Sequence, residues 1–383
     1  MKKNIIILAN SGTDPNNMSG GDKIFIEYAK AWSEYAKVSI LTCSELACVC
    51  SRENLECDII PISKIAVQKV GLYIAYAMRI VKSCFKRPKI PNSSIIYSSS
   101  DFMPDVIPSL FYRLFNKTHH WIAAIYLLAP NPLKKETPLT ARSMFYFWSQ
   151  NISILLMKYF ADQICVLNKS DVEKLVLDYK INPSKVIITR PGVTVPNTPP
   201  STMGQYDACF VGRFHKQKGI PDLLEIWKHV CNTSTDAKLA LIGSGEPEWF
   251  DFIEKYINKH KLNKNIEVLG FKDGEEKFEI MKNSKVFLFP SNYESFGIAG
   301  LEAIASGLPV VAFNIPVFKD IFKDTFSLVP LGNTKAFADE VVLLLTNQEY
   351  YKRKQEEGLN FAKSFTWKEC AKDLFDTFPQ ASN

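Results

Sequence analysis

The sequence predicts an α/β chain of two doubly wound, Rossmann-like parallel-sheet domains. One basis is a length of 383 residues, ample for two cores. A second is two stretches in which short apolar runs alternate with segments of helical period. The third is an aperiodic passage rich in Pro, Thr and Ser between them, "VTVPNTPPSTMGQ". The expected boundaries are a first domain over 1–192, a linker over 193–205, a second domain over 206–365, and a C-terminal helix over 366–383 that crosses back to the first.

In the first half "NIIILAN" reads as a strand, "GDKIFIEYAKAWSEY" as a helix with apolar residues at helical spacing, and "KVSILTC" as the next strand. Further buried strands follow at "SSIIYSS", "HWIAAIYLL" and "QICVLNKS", and "VIITRPGV" closes the half. Continuous apolar strands of this kind suit a parallel sheet covered on both faces. The rhythm restarts with "YDACFVGRF", the helix "IPDLLEIWKHVC", then "AKLALIGSG", "NIEVLGF", "KVFLFPS", a helix at "IAGLEAIAS", "PVVAF" and "FSLVP". The segment from Thr334 to Phe378 reads as helices.

Composition narrows the function classes. Lys2-Lys3 ahead of Ile5–Ala9 hints at an export signal, but the run stops at Asn10-Ser11-Gly12, too short for one, and is expected to be a buried strand. No stretch reaches the roughly 18 apolar residues of a spanning helix. Nine cysteines lie without pairing or metal-ligand spacing, which predicts free thiols and a cytoplasmic setting.

The net charge of +6 is uneven: residues 1–190 hold 24 Lys+Arg against 15 Asp+Glu. Between Ile59 and Ser100 there is no acidic residue, while Lys64, Lys69, Arg79, Lys82, Lys86, Arg87 and Lys89 all occur. This segment, 64–89, reads either as a peripheral patch for the inner face of the membrane or as a helix packed on its sheet with solvated lysines. The aromatic-rich "SMFYFWSQNISILLMKYF" carries the same two readings. The basic residues belong to no recognition module, so nucleic acid is not an expected partner.

Three motifs bear on chemistry. In "FVGRFHKQKGIPDLL" a strand ends, Gly212 turns the chain, and Arg213 and Lys218 stand before a helix starting near Ile220-Pro221. This puts two cations at the carboxyl edge of a sheet, where open α/β sheets bind ligands. They could clamp a pyrophosphate or form a solvated basic loop, and the segment alone leaves both open. "LALIGSGEPEWF" begins like a dinucleotide fingerprint, but Glu246-Pro247-Glu248 replaces the third glycine, which disfavours a dehydrogenase. In "NYESFGIAGLEAIASGLPVVAF", Ser295 is expected to cap a helix that ends at Gly307. Gly297 and Gly300 imply a close approach, the helix start offers free N–H groups to an anion, and Glu302 can accept hydrogen bonds from vicinal hydroxyls. The flanking apolar residues disfavour a solvated surface helix.

Together these segments resemble the retaining glycosyltransferases of the GT-B fold, family 4, in which two such domains face across a cleft. The family's Glu, seven residues, Glu pattern is matched by Glu294 and Glu302, and its "GR…KG" strand-loop by Gly212, Arg213, Lys218 and Gly219. Gly20 and Gly21 match its glycine-rich loop after the first strand. The carboxyl half is the more specific match; the amino half resembles the family in rhythm.

The resemblance implies that Glu294 hydrogen-bonds hydroxyls of the donor sugar and Glu302 those of the ribose. Arg213 and Lys218 would clamp the diphosphate, with backbone amides around Ser295, Phe296, Gly297 and Ile298 assisting, while Gly20 and Gly21 approach from the acceptor-side domain. It implies a nucleotide diphosphate sugar as donor, a glycan or lipid-linked acceptor, no cofactor and no metal; no D-x-D triplet occurs. One departure stands out. Many members carry a His at the end of an amino-domain strand, where this chain has an apolar residue at about Leu127; His119 and His120 lie at that strand's start. Two other functions stay open at this point: a nucleotide-sugar epimerase of the same fold and a catalytically silent scaffold partner.

Overall fold

The computed structural model describes residues 2–15, 18–85, 90–134, 140–194 and 204–379. The chain divides into two compact units, residues 1–192 with 367–383, and residues 193–366. Most of the passage expected as a linker, 195–203, lies outside the described residues, as do Lys86, Arg87 and Lys89.

Among the described residues the amino unit is built on seven strands: β1 (Lys3–Ala9), β2 (Ala36–Cys43), β3 (Asp58–Ser63), β4 (Ile95–Ser98), β5 (His120–Ala124), β6 (Gln163–Val166) and β7 (Val186–Ile188). All pair in parallel in the order β3-β2-β1-β4-β5-β6-β7. Ile5, Ile7, Ile40, Ile96, Ile122 and Ile164 are fully buried, as a sheet covered on both faces requires. β3 has no counterpart in the sequence reading. Pro61 inside it argues against a strand, but β3 is an edge, where a missing N–H breaks no ladder.

The helix Gly20–Ser33 packs with Trp367–Asp376. The Trp32 indole N–H donates to the carbonyl of Ala371 at 2.8 Å, and its ring meets Phe378 edge-on at 5.3 Å, so the chain's last helix belongs to the amino unit's core.

The 64–89 segment differs from expectation. It forms two helices, Val67–Val70 and Leu72–Phe85, interrupted at Gly71. Arg79 is no surface cation: it is fully buried, pairs with Glu45 at 2.6 Å, and donates to the carbonyls of Asn10, Gly12 and Ile65 at 2.9, 2.6 and 3.1 Å. An arginine suits this position because its fork satisfies several acceptors at once while balancing a buried carboxylate. It ties down the chain leaving β1. On the other side of that chain, buried Asp105 accepts from the Asn10 N–H and the Ser100 hydroxyl, both at 2.5 Å.

The carboxyl unit holds β8 (Tyr206–Val211), β9 (Leu239–Ile242), β10 (Ile266–Gly270), β11 (Ser284–Phe289), β12 (Val310–Phe313) and β13 (Ser327–Val329), all parallel in the order β10-β9-β8-β11-β12-β13. The order reverses between β8 and β11, so loops leaving their carboxyl ends diverge and open a crevice. Among the described residues no helix is long and apolar enough to cross a membrane.

Two outcomes follow for the amino unit. Arg79→Met strands the Glu45 carboxylate in the core and is expected to cost about 3–5 kcal/mol in urea unfolding. Burial raises the Asp105 pKa from 3.8 to about 7, against hydrogen bonds that lower it. Between those values the folded protein keeps a proton that the unfolded chain has released. Stability should therefore fall as pH rises through the window, by up to about 1.4 kcal/mol per unit. Asp105→Asn should remove that slope in parallel urea titrations.

Candidate functional site

The site is assembled at the β8/β11 reversal. β8 delivers Gly212 and Arg213, a short 3-10 turn follows at Lys216–Lys218, and Gly219 starts the helix Ile220–Thr233. Gly219 has φ +73°, and a Cβ there would lie 1.9 Å from the carbonyl oxygen of Pro290. Only glycine lets this turn press against the loop leaving β11.

Across that contact Lys218 Nζ meets Glu294 Oε1 at 2.5 Å, and the Ser291 hydroxyl donates to the same oxygen at 2.8 Å. Glu294 is buried, with 8% of its surface exposed. Among the described residues no group hydrogen-bonds its Oε2, which stays available to a ligand hydroxyl.

Arg213 is exposed and sits at the rim of this arrangement, donating to Gln217 Oε1 at 3.3 Å. Gln217 in turn donates through Nε2 to the Tyr293 carbonyl at 3.1 Å and accepts the Asn292 N–H at its own carbonyl at 2.9 Å. It splices the two loops together. His215 Nδ1 accepts the Gln217 N–H at 3.1 Å. Burial, then the charges of Arg213 and Lys218, lower its pKa, so the neutral ring persists at neutral pH.

The second glutamate stands in the helix Ile298–Ala305. Glu302 is buried, and its Oε2 accepts from Lys277 Nζ at 2.9 Å; Lys277 comes from the helix Gly274–Lys282 and also lies 3.8 Å from Asp273. The ribose-reading carboxylate expected from sequence is thus paired with a buried lysine that sequence reasoning missed. The signal was faint: Lys277 shares a helix face with Met281, four residues on, in a segment otherwise crowded with charges.

Several expectations are corrected. Ser295 does not cap the helix: the N-cap is Gly297, at φ +102°, with no side-chain cap. Phe296 points inward, against Phe322 and Phe365, so only its backbone faces chemistry. The glycines have packing reasons of their own. A Cβ on Gly297 would lie 2.8 Å from Phe318, and one on Gly300 2.6 Å from Phe326. The expected stop at Gly307 is present as a Schellman motif, with Leu308 N–H to Ala303 O and Gly307 N–H to Ile304 O, both 3.0 Å. The helix start leaves the Ile298 and Ala299 N–H groups without intrahelical acceptors, a weak anion seat beside Glu294.

Gly20 and Gly21 belong to the amino unit. They are not a loop but the first turn of the helix Gly20–Ser33, behind a Ser19–Asp22 capping box. A Cβ on Gly21 would lie 2.8 Å from the ring of Tyr126, so packing alone explains that glycine. β5 ends at Ala124, so Leu127 lies beyond the strand, with its carbonyl held by Gln150 Nε2 at 2.8 Å. Gln150 also donates to Asp101 and accepts the Ala129 N–H, fixing the loop where the resembling family places a histidine.

With this geometry in place, relatives can be compared. Residues 196–361 match the family described as Glycosyl transferases group 1. The match makes that stretch similar to the glycosyl transferases group 1. It coincides with the unit carrying Lys218, Glu294 and Glu302. The chain is 30% identical over 173 residues to a phosphatidyl-myo-inositol mannosyltransferase of Mycobacterium leprae, covering 44% of this chain and 45% of that protein. It is 24% identical over 337 residues to an N-acetyl-alpha-D-glucosaminyl L-malate synthase of Bacillus anthracis, covering 85% and 74%. The chain spans about half the length of the first curated relatives it matches. The structure of the Anabaena protein HepE in complex with UDP and glucose superposes with a TM-score of 0.77 at 12% identity, covering 98% of this chain and 99% of that one. That likeness shows the fold of the whole chain, GT-B.

Within the carboxyl unit the Lys277–Glu302 pair has a measurable signature. Lys277→Met alone should destabilise by about 3–5 kcal/mol, because it leaves a buried charge. The Lys277→Met, Glu302→Gln double variant should recover at least about 1 kcal/mol in a urea double-mutant cycle.

Proposed function

We propose that this protein is a retaining glycosyltransferase that moves a hexose from a nucleotide diphosphate sugar to a glycan or lipid-linked acceptor in surface polysaccharide or glycoconjugate synthesis. The observation that carries the reading is the cluster of half-buried Lys218 with buried Glu294 and Ser291 at the β8/β11 reversal, with Glu302 about one turn into the helix that follows. Glu294 Oε2 accepts a hydrogen bond from a sugar hydroxyl, while Ser291 and Lys218 hold Oε1 and so fix the carboxylate's orientation. Lys218 and Arg213 face the diphosphate and stabilise the charge that builds as the glycosidic bond breaks, usually the largest catalytic contribution. Glu302, oriented by Lys277, reads the ribose.

Retention follows from attack on the same face of the sugar, so Glu294 need not be a nucleophile, unlike the paired carboxylates of retaining hydrolases. No metal or organic cofactor has a role in this scheme. The comparisons lend support through their own ligands and names: the Anabaena structure holds UDP and glucose, and the Mycobacterium relative is named for mannosyl transfer to a phosphatidylinositol. A nucleotide-sugar donor and free cysteines suit a cytoplasmic protein.

A thermal-shift screen against nucleotide sugars identifies the donor, since stabilisation follows ligand concentration over Kd. With that donor, Glu294→Gln and Lys218→Met should each lower kcat by about 100-fold or more. Folding should be retained, and EDTA should leave wild-type turnover unchanged. Undiminished transfer by both variants would remove the site assignment.

A further inference from the structure

Two helices of the amino unit are packed inside out. The helix Ala141–Phe160 turns Gln150, Ser153, Ile154 and Met157 to the interior. Its opposite stripe, at spacings of three and four residues, is Phe145, Trp148, Ile152, Leu155 and Tyr159, all about half exposed or more. The helix Leu72–Phe85 does the same: Ala75, Arg79, Ser83 and Cys84 face inward, while Ile74, Met78, Val81 and Phe85 face out, Phe85 with 76% of its surface exposed. A water-facing helix normally carries the reverse pattern.

The stripes are neighbours. Tyr73 and Phe145 meet edge-on at 4.5 Å, and the helix Met103–Phe115 packs against both helices and adds exposed Leu114 and Phe115. So broad an exposed apolar face calls for an apolar partner.

Charge identifies the partner. Neither inverted helix contains an Asp or Glu, and among the described residues of these helices and the short helix before them the cations are Lys69, Lys82, Arg142 and Lys158, besides the buried Arg79. A two-fold dimer through these two helices would set cations against cations with no carboxylate from either helix between them, because an isologous contact repeats the same patch on both sides. An anionic bilayer satisfies both features: acyl chains take the apolar stripes, headgroups take the cations, and Tyr73, Trp148 and Tyr159 suit the interface between.

We propose that the outward face of the Leu72–Phe85 and Ala141–Phe160 helices seats the amino unit on an anionic lipid surface. The apolar stripes carry the contact, and the basic residues tune it. The seating deepens the proposed function and rests on it in one respect only: it brings the protein to the place where a lipid-linked acceptor resides.

The test uses the full chain without donor, so failure here leaves the transferase reading standing. Sedimentation with vesicles of phosphatidylcholine containing phosphatidylglycerol should recover the protein, with a blue shift of tryptophan fluorescence, and pure phosphatidylcholine should recover much less. Two double variants, Trp148→Ser with Ile152→Ser and Ile74→Ser with Val81→Ser, should each weaken partitioning by at least about ten-fold. Their Tm and their turnover on a water-soluble acceptor should be unchanged. Equal vesicle binding by these variants would overturn the proposal, as would equal binding to both lipid compositions or no binding by the wild type. A dimer in vesicle-free buffer that the same substitutions dissociate would assign the face to self-association instead.

Discussion

The 2.5 Å contact between Lys218 and Glu294 joins two loops that leave adjacent strands on opposite sides of the sheet's reversal. Each loop alone would be a polar connection with its charges in water. Joined, they bury a carboxylate, offer one of its oxygens to a ligand, and leave Arg213 at the rim. The contact depends on a steric condition elsewhere, the bare Gly219 against Pro290. Gln217, bonded to both loops, keeps the joint from shearing. The site is therefore a property of the interface between two turns more than of either motif.

Buried cations recur as organisers in this molecule. Lys277 orients Glu302, and Arg79 gathers Glu45 and three carbonyls around the chain leaving β1. Such pairs rarely add net stability relative to well-packed apolar residues, yet removing one partner is costly. Their effect is to fix geometry. In the amino unit this has a second consequence: because the helix Leu72–Phe85 spends its inward face on Arg79, Ser83 and the small Ala75 and Cys84, the larger Ile74, Met78, Val81 and Phe85 face outward. The inward polar network and the outward apolar stripe are two sides of one arrangement.

Much of this was legible in the sequence. Apolar runs such as Ile5–Ala9 and Val286–Phe289 identify buried parallel strands, because few other structures bury so many consecutive side chains. The spacing from Glu294 to Glu302, with Gly307 and Pro309 behind it, locates the helix and its end. β3 was not legible, since Pro61 disguises a strand whose edge position excuses it. Lys277 was not legible either, because a lysine in a charged helix gives no sign of pointing inward.

The sequence by itself determined the alternation of strands and helices, the two-sheet α/β class, and the presence of Glu294, Arg213 and Lys218 at strand-to-helix turns, with Glu302 in the helix that follows. These follow from local periodicity and from residues a few positions apart. Only the tertiary structure decided which charges meet and which face water. It turned Arg79 from a surface cation into a core ion pair, and made Gly21 and Gly300 packing glycines. It set Lys277 on Glu302 and brought Tyr73 against Phe145. Each of these rests on a contact between residues distant in the chain, set by strand order and helix rotation, which no local pattern encodes.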